Sequence, residues 1–148
     1  EGGVMAEHRI QLRGSDGGKP FTYEAYPREH EILFKDGQRM TASASPAYRG
    51  DGVHGDPEDL LVAALSSCHM LSFLAICAKK RITVQSYEDD AVGFLENDGG
   101  KLWVTRVILR PKIVASVDAA ALEPIHHLAH DACFIANSVK TSVKVEPR

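Results

Sequence analysis

Asp56–Lys80, DPEDLLVAALSSCHMLSFLAICAKK, is the stretch from which the rest of the chain is read. It opens with a helix-start signal. Asp56 can cap, Pro57 suits the first helical position, and Glu58 and Asp59 put negative charge in the first turn. No charged residue occurs from Leu60 to Ala78, and Lys79, Lys80 and Arg81 then supply the positive charge that suits a helix C-terminus. Apolar residues occupy nearly every face, which predicts a helix buried on most sides. Its length is marginal for a membrane span. Ser66, Ser67, His69 and Ser72 argue against one, because each polar group would need a partner in lipid. The expectation is a buried central helix with Cys68 at its middle.

Strand patterns surround this helix. His8 to Arg13 alternates, and so does Phe21 to Tyr26, across a turn-rich loop from Gly14 to Pro20. Glu31 to Lys35 and Gln38 to Ser43 flank Asp36-Gly37, a strong hairpin signal. The first third is therefore expected to be a small antiparallel sheet. Ala44 to Gly55 is a loop containing Arg49. Beyond the helix, Ile82 to Glu96 reads as one long strand, Asn97-Asp98-Gly99-Gly100 as a tight turn, and Lys101 to Val114 as the return strand. Pro111 suggests an edge or bulge there. Asp118 to Ala132 reads as a second helix capped by Asp118, with Pro124 near its first turns. Cys133 to Val139 is a short helix or turn, and Lys140 to Glu146 a last strand. Strands segregated from helices imply an α+β fold, with antiparallel sheets packed around the central helix. The order of strands is not legible.

A chain of 148 residues suits one domain and can bury about two thirds of its unfolded surface. Glu1 to Val4 precede Met5 and are read as the remnant of an added leader, which leaves residues 5–148 as a single domain. The net charge is −3 with no basic cluster, which argues against nucleic acid as a partner. No signal or transit peptide is visible. The three cysteines, Cys68, Cys77 and Cys133, are an odd count for a disulfide scaffold. A reducing, cytoplasmic setting is the expectation.

One constellation can carry thiol chemistry: Arg49, Glu58, Cys68 and Cys133. A thiol attacks only as thiolate, and an unperturbed cysteine is mostly protonated at neutral pH. A guanidinium beside the sulfur favours the thiolate, and a carboxylate can hold the guanidinium. Attack on a peroxide O–O bond gives a sulfenic acid, which condenses with a second thiol. The bland alternatives are a solvated Arg49, a Glu58 that only favours the helix N-terminus, and a Cys133 that only packs. A second constellation is His126, His127, His130 and Cys133. His126 and His130 share a helix face and Cys133 follows about one turn later, a spacing that can bind zinc. A fourth ligand is not evident, so solvent-facing histidines on an amphipathic helix are the simpler reading. Cys77 lies about 13 Å along the helix axis from Cys68 and near the opposite face, which makes it a packing residue.

These residues resemble the OsmC/Ohr superfamily, the osmotically inducible protein C and organic hydroperoxide resistance proteins. DPEDLLVAALSSCHMLSFL is similar to the family's (N/D)-P-E-x-L-L segment with its downstream cysteine, and Glu58 stands ten residues before Cys68. HDACFIANSVKTSVKV is similar to the C-terminal cysteine segment and closing strand. YRGDG lies where the OsmC branch carries its arginine, although Arg9, Arg13 and Arg39 compete for that role. The likeness spans Met5 to Glu146 and is nearer the general OsmC-like branch than the Ohr branch.

The resemblance implies a peroxidatic Cys68, a resolving Cys133, an Arg49 that stabilises the thiolate and the leaving oxygen, and a Glu58 that positions Arg49. It implies an intertwined homodimer with its sites at the interface. It further implies organic hydroperoxides as substrates, an external dithiol reductant (a dihydrolipoyl group in Ohr members), and no metal or organic cofactor. His69, where many members carry an aromatic residue, is expected to pack. The alternatives are a non-catalytic OsmC-like protein that binds a small ligand and a His/Cys metal-binding protein. In one straight helix Glu58 and Cys68 are about 15 Å apart along the axis. Either the helix breaks near Ser66-Ser67, or a partner chain completes the site.

Overall fold

The computed structural model describes residues 2–148. It is α+β and divides into two compact units, one ending at Pro57 and one running from Glu58 to Arg148.

The first unit is an antiparallel sheet, β1 (Gln11–Arg13), β2 (His30–Leu33) and β3 (Arg39–Ala42), in that order. The expected hairpin at Asp36-Gly37 forms. Both residues have positive φ, 53° and 76°, and the Gln38 N–H closes the turn on the Lys35 carbonyl at 3.1 Å. Those signs match the right-handed twist of the flanking strands. The strand expected over His8 to Arg13 shortens to β1. The one expected over Phe21 to Tyr26 is a turn: the Ala25 and Tyr26 N–H groups both donate to the Thr22 carbonyl. Its aromatic alternation serves a different contact. Arg28 lies over the rings of Tyr26 and Tyr23, 3.4 and 4.9 Å from their centroids. Arg28 also donates to both of those residues' carbonyls.

The second unit is built on α1 (Pro57–Lys79), which is unbroken. Arg81, with φ 60°, ends it: the Ile82 N–H reaches the Cys77 carbonyl and the Arg81 N–H reaches the Ala78 carbonyl. This pair of bonds satisfies carbonyls of the last turn. β4 (Val84–Asp89) pairs with β7 (Pro111–Ala115), while β5 (Val92–Asp98), β6 (Lys101–Leu109) and β8 (Ser142–Val145) form a second sheet. β8 runs parallel to β6, and α2 (Ala119–Ala132) lies in the connection between them. As expected, the Asp118 carboxylate caps α2, accepting from the Ala121 N–H at 3.0 Å.

The long strand expected over Ile82 to Glu96 is two strands in two sheets, and its return strand is likewise divided at Arg110. Polar bonds, part-buried at Asp89 and exposed at Asp90, hold the bend. The Asp89 carboxylate accepts from the Arg110 N–H at 2.6 Å and from the Ser66 hydroxyl of α1 at 2.5 Å. The Arg110 guanidinium donates to the Asp90 carbonyl and pairs with its carboxylate. These bonds replace the ladder at the point where a continuous ribbon would have passed through.

Two apolar cores result. One gathers Leu65, Val107 and Leu109 with Val62, Val104 and Ile135; the other gathers Phe73, Cys77, Leu122, Ile125 and Ala129. Gly93 brings β5 against α1, because a Cβ there would lie 2.6 Å from Val62 Cγ2. The burial expected on most sides of α1 is confined to one stripe, Leu65, His69, Phe73 and Cys77. The spacing of four is the periodicity of a single helix face. By length and composition α1 could cross a membrane. Its polar groups nevertheless find protein partners, Ser66 on Asp89 and His69 on His126.

Candidate active site

Cys68 projects from the middle of α1, half-buried, one residue off the buried stripe. Cys133 follows the last turn of α2. Its backbone is extended, φ −70° and ψ 113°, and its N–H still bonds to the His130 carbonyl. That conformation turns the chain out of the helix while the side chain stays 1% exposed. The two thiols, 65 positions apart in sequence, lie close enough for each to act on the other's ionisation, and both are free. Burial raises the Cys133 pKa above the usual thiol value, and Cys68 raises it further, while the Ala136 N–H donating to its Sγ at 3.4 Å acts the other way. These surroundings favour a protonated Cys133 beside the Cys68 thiol. Apolar surface flanks the pair: Leu71, one turn on from Cys68, is 60% exposed, and Phe134, next to Cys133, is 80% exposed.

Glu58 lies in the first turn of α1, on the same continuous helix as Cys68. The break near Ser66-Ser67, one of the two alternatives the spacing left open, is absent. The Ser66 hydroxyl is engaged by Asp89 and does not compete for the helix backbone. Ten residues of unbroken helix keep Glu58 and Cys68 about 15 Å apart along the axis.

Arg49 belongs to the first unit, at the end of a single 3-10 turn, Pro46–Tyr48, with φ 68°. Its N–H donates to the Pro46 carbonyl and its guanidinium lies 5.5 Å from the Tyr23 ring centroid. Gly50 follows of necessity, since a Cβ there would fall 1.5 Å from the Ala44 carbonyl oxygen. The same loop holds an Asp–His pair to which no sequence motif points. His54 Nδ1 is 2.6 Å from the Asp51 carboxylate, which also accepts from the His54 and Val53 N–H groups. Those bonds hold the Asp51 pKa down to about 2.

The histidines of α2 correct the expectation that they face solvent. His127 is exposed, but His126 is 5% exposed and bonded to His69. Leu122, Ile125, His126 and Ala129 are the buried positions of α2. His126 therefore sits on the apolar face, a placement its spacing from these three residues already contained. Among the described residues no group of three or more His, Cys, Asp or Glu is arranged to hold a metal ion.

A family model described as OsmC-like protein matches residues 50–148. An OsmC-like protein of unknown function from Vibrio cholerae is 45% identical over 97% of this chain and 100% of its own, with a TM-score of 0.90. This chain belongs to the OsmC-like family. At lower identity the likeness is one of fold. The organic hydroperoxide resistance protein OhrB of Bacillus subtilis is 17% identical, over 98% of this chain and 100% of its own, with a TM-score of 0.73. An organic hydroperoxide resistance protein OsmC from Legionella pneumophila is 16% identical, over 98% and 97%, with a TM-score of 0.74. No curated protein matches significantly. Within this OsmC-like chain, the two helices that frame the second unit each deliver one thiol to the same place.

Proposed function

We propose that this OsmC-like protein is a thiol-dependent peroxidase that reduces organic hydroperoxides in oxidative-stress defence. The carrying observation is the contact between Cys68 and Cys133, two free thiols from different helices. The Cys68 thiolate attacks the distal oxygen of ROOH. The O–O bond breaks, the RO group leaves and takes a proton, and Cys68 becomes a sulfenic acid. The Cys133 thiol then displaces water and the Cys68–Cys133 disulfide forms. An external dithiol, such as a dihydrolipoyl group, returns both sulfurs to thiols by exchange. The structural relatives known as organic hydroperoxide resistance proteins support this choice of substrate class.

In this reading Arg49 favours the thiolate and the charge on the leaving oxygen, and Glu58 orients Arg49. Since α1 is continuous, a second copy of the chain completes the arrangement, as a homodimer of the single functional module 5–148. The half-exposed apolar faces of α1 support such a partner, because a lone chain leaves Leu71 in solvent. Leu71 and Phe134 beside the thiols favour alkyl hydroperoxides over hydrogen peroxide. A reducing compartment, the cytoplasm, keeps the resting dithiol open.

The test is thiol titration and intact mass after one equivalent of an alkyl hydroperoxide, repeated in Cys68→Ser and Cys133→Ser. The expected result is loss of two thiols and about 2 Da in the unsubstituted protein, with a trappable sulfenic acid in Cys133→Ser. Survival of both thiols in excess peroxide would leave a small-ligand-binding protein as the reading.

A further inference from the structure

His69 sits on the buried stripe of α1 between the two apolar cores, with Leu65 in one and Phe73 in the other. Its Nε2 is 3.1 Å from Nδ1 of His126 on α2. The two rings are nearly parallel, 6° apart, and Phe73 stacks on His126 at 4.4 Å. His69 is 1% exposed, and its Nδ1 is buried with no hydrogen-bond partner among the described residues. A buried lone pair is tolerated better than a buried orphan N–H. The proton therefore sits on His69 Nε2 and is donated to His126 Nδ1, which makes both imidazoles neutral.

This bond ties together the two helices that carry the thiols. His69 follows Cys68 directly, and His126 precedes Cys133 by seven residues, close to two helical turns. We propose that the neutral His69–His126 pair is a positioning device for the dithiol, locking α1 to α2 in the register that sets Cys133 against Cys68. Neither ring touches the reacting atoms. The pair hastens the step in which the Cys133 thiol displaces water from the Cys68 sulfenic acid, and it favours the disulfide at equilibrium. Only the oxidant in that step rests on the peroxidase reading.

The surroundings keep the pair neutral. Burial disfavours the charged form of both rings, and His130 on α2 opposes charge on His69, while Asp89 on β4 favours it. On α2, Glu123 favours charge on His126 and His127 opposes it. Lys144 of β8 and Glu146, just after that strand, line the same surface pocket as His126. Coupling between two sites is reciprocal. If the pair holds the dithiol in register, closing the disulfide must also make the pair harder to protonate.

Three measurements on the full chain test this. The Cys68/Cys133 couple is equilibrated with reduced and oxidised dithiothreitol, without peroxide, in the unsubstituted protein, His126→Phe and His126→Asn. His126→Phe keeps the ring stack and deletes the acceptor, and it should lower the disulfide equilibrium constant about tenfold, the scale of one buried hydrogen bond. His126→Asn places an amide near the position of Nδ1 and should restore it. With cumene hydroperoxide, the rate of Cys68 sulfenic acid formation, read by dimedone trapping, should match in all three, while disulfide closure slows only in His126→Phe. Imidazole NMR of the unsubstituted protein should give a lower protonation midpoint in the disulfide form than in the dithiol form.

Equal equilibrium constants in the unsubstituted protein and His126→Phe would overturn the proposal, as would equal midpoints in the two redox forms. The midpoints decide if the variants do not fold. If peroxide oxidises nothing while dithiothreitol still separates Phe from Asn, the peroxidase reading fails and the positioning role stands.

Discussion

Acid should destabilise this protein through His69, and the size of the effect follows from its burial. Burial, with His126 and His130 as further causes, lowers the His69 pKa from 6.5 to about 4, so the folded chain binds fewer protons than the unfolded chain between those values. Stability therefore rises with pH across that window. It is complete above the unfolded value of 6.5, falls as the pH drops, and the whole contribution is gone below about 4. At roughly 1.4 kcal/mol per tenfold change in proton activity, the loss from this residue is about 3 kcal/mol. His126 is shifted in the same direction by the same cause and adds to it.

The perturbation is His69→Leu combined with His126→Leu, which removes both titrations together and leaves no buried imidazole unpaired. The assay is urea unfolding at a fixed protomer concentration, from about pH 7 down to about pH 4. Carboxylates titrate in both proteins, so the difference between the two acid slopes isolates the histidines. Over that range the unsubstituted protein should lose more stability than the double substitution does, by about 3 kcal/mol. Equal acid slopes would refute the reasoning, whatever the stability of the doubly substituted protein at neutral pH.

Gly93→Ala should destabilise by about 1–3 kcal/mol through overpacking against Val62, and adding Val62→Ala should recover part of the loss. Thermal unfolding of the four proteins of that cycle checks it, and strictly additive effects would count against the contact. Asp89→Ala should cost about 2–3 kcal/mol in urea, because it strands the Arg110 N–H and the Ser66 hydroxyl at the bend between the two sheets. An unchanged midpoint would mean the ribbon bends without them. Gly50→Ala should depress peroxide turnover to the level of Arg49→Ala, since the added Cβ cannot coexist with the Ala44 carbonyl and the Arg49 loop must move. Turnover equal to that of the unsubstituted protein would remove Arg49 from the site.

The two helices, the Asp36-Gly37 hairpin and the closing strand were legible in the sequence because each is fixed by local chemistry. Caps, charge at helix ends, positive-φ turn residues and periodicity act within a few positions. Other assignments depended on distant partners. Phe21 to Tyr26 alternates like a strand, yet Arg28 gathers its rings into a turn. Ile82 to Glu96 has the composition of one strand, yet Asp89 binds Arg110 and Ser66 and divides it.

The candidate site divides in the same way. Sequence alone offered Cys68, Cys133, Arg49 and Glu58 as candidates for thiol chemistry. It could not bring two sulfurs 65 positions apart into contact, nor show that His126 leaves solvent to meet His69. Both outcomes depend on how α1 packs against α2, and that packing is set by two cores whose members lie far apart along the chain. Burial is a property of the assembled fold, so the resistance of His69 and His126 to charging and the upward push on the Cys133 thiol were decided only by tertiary structure.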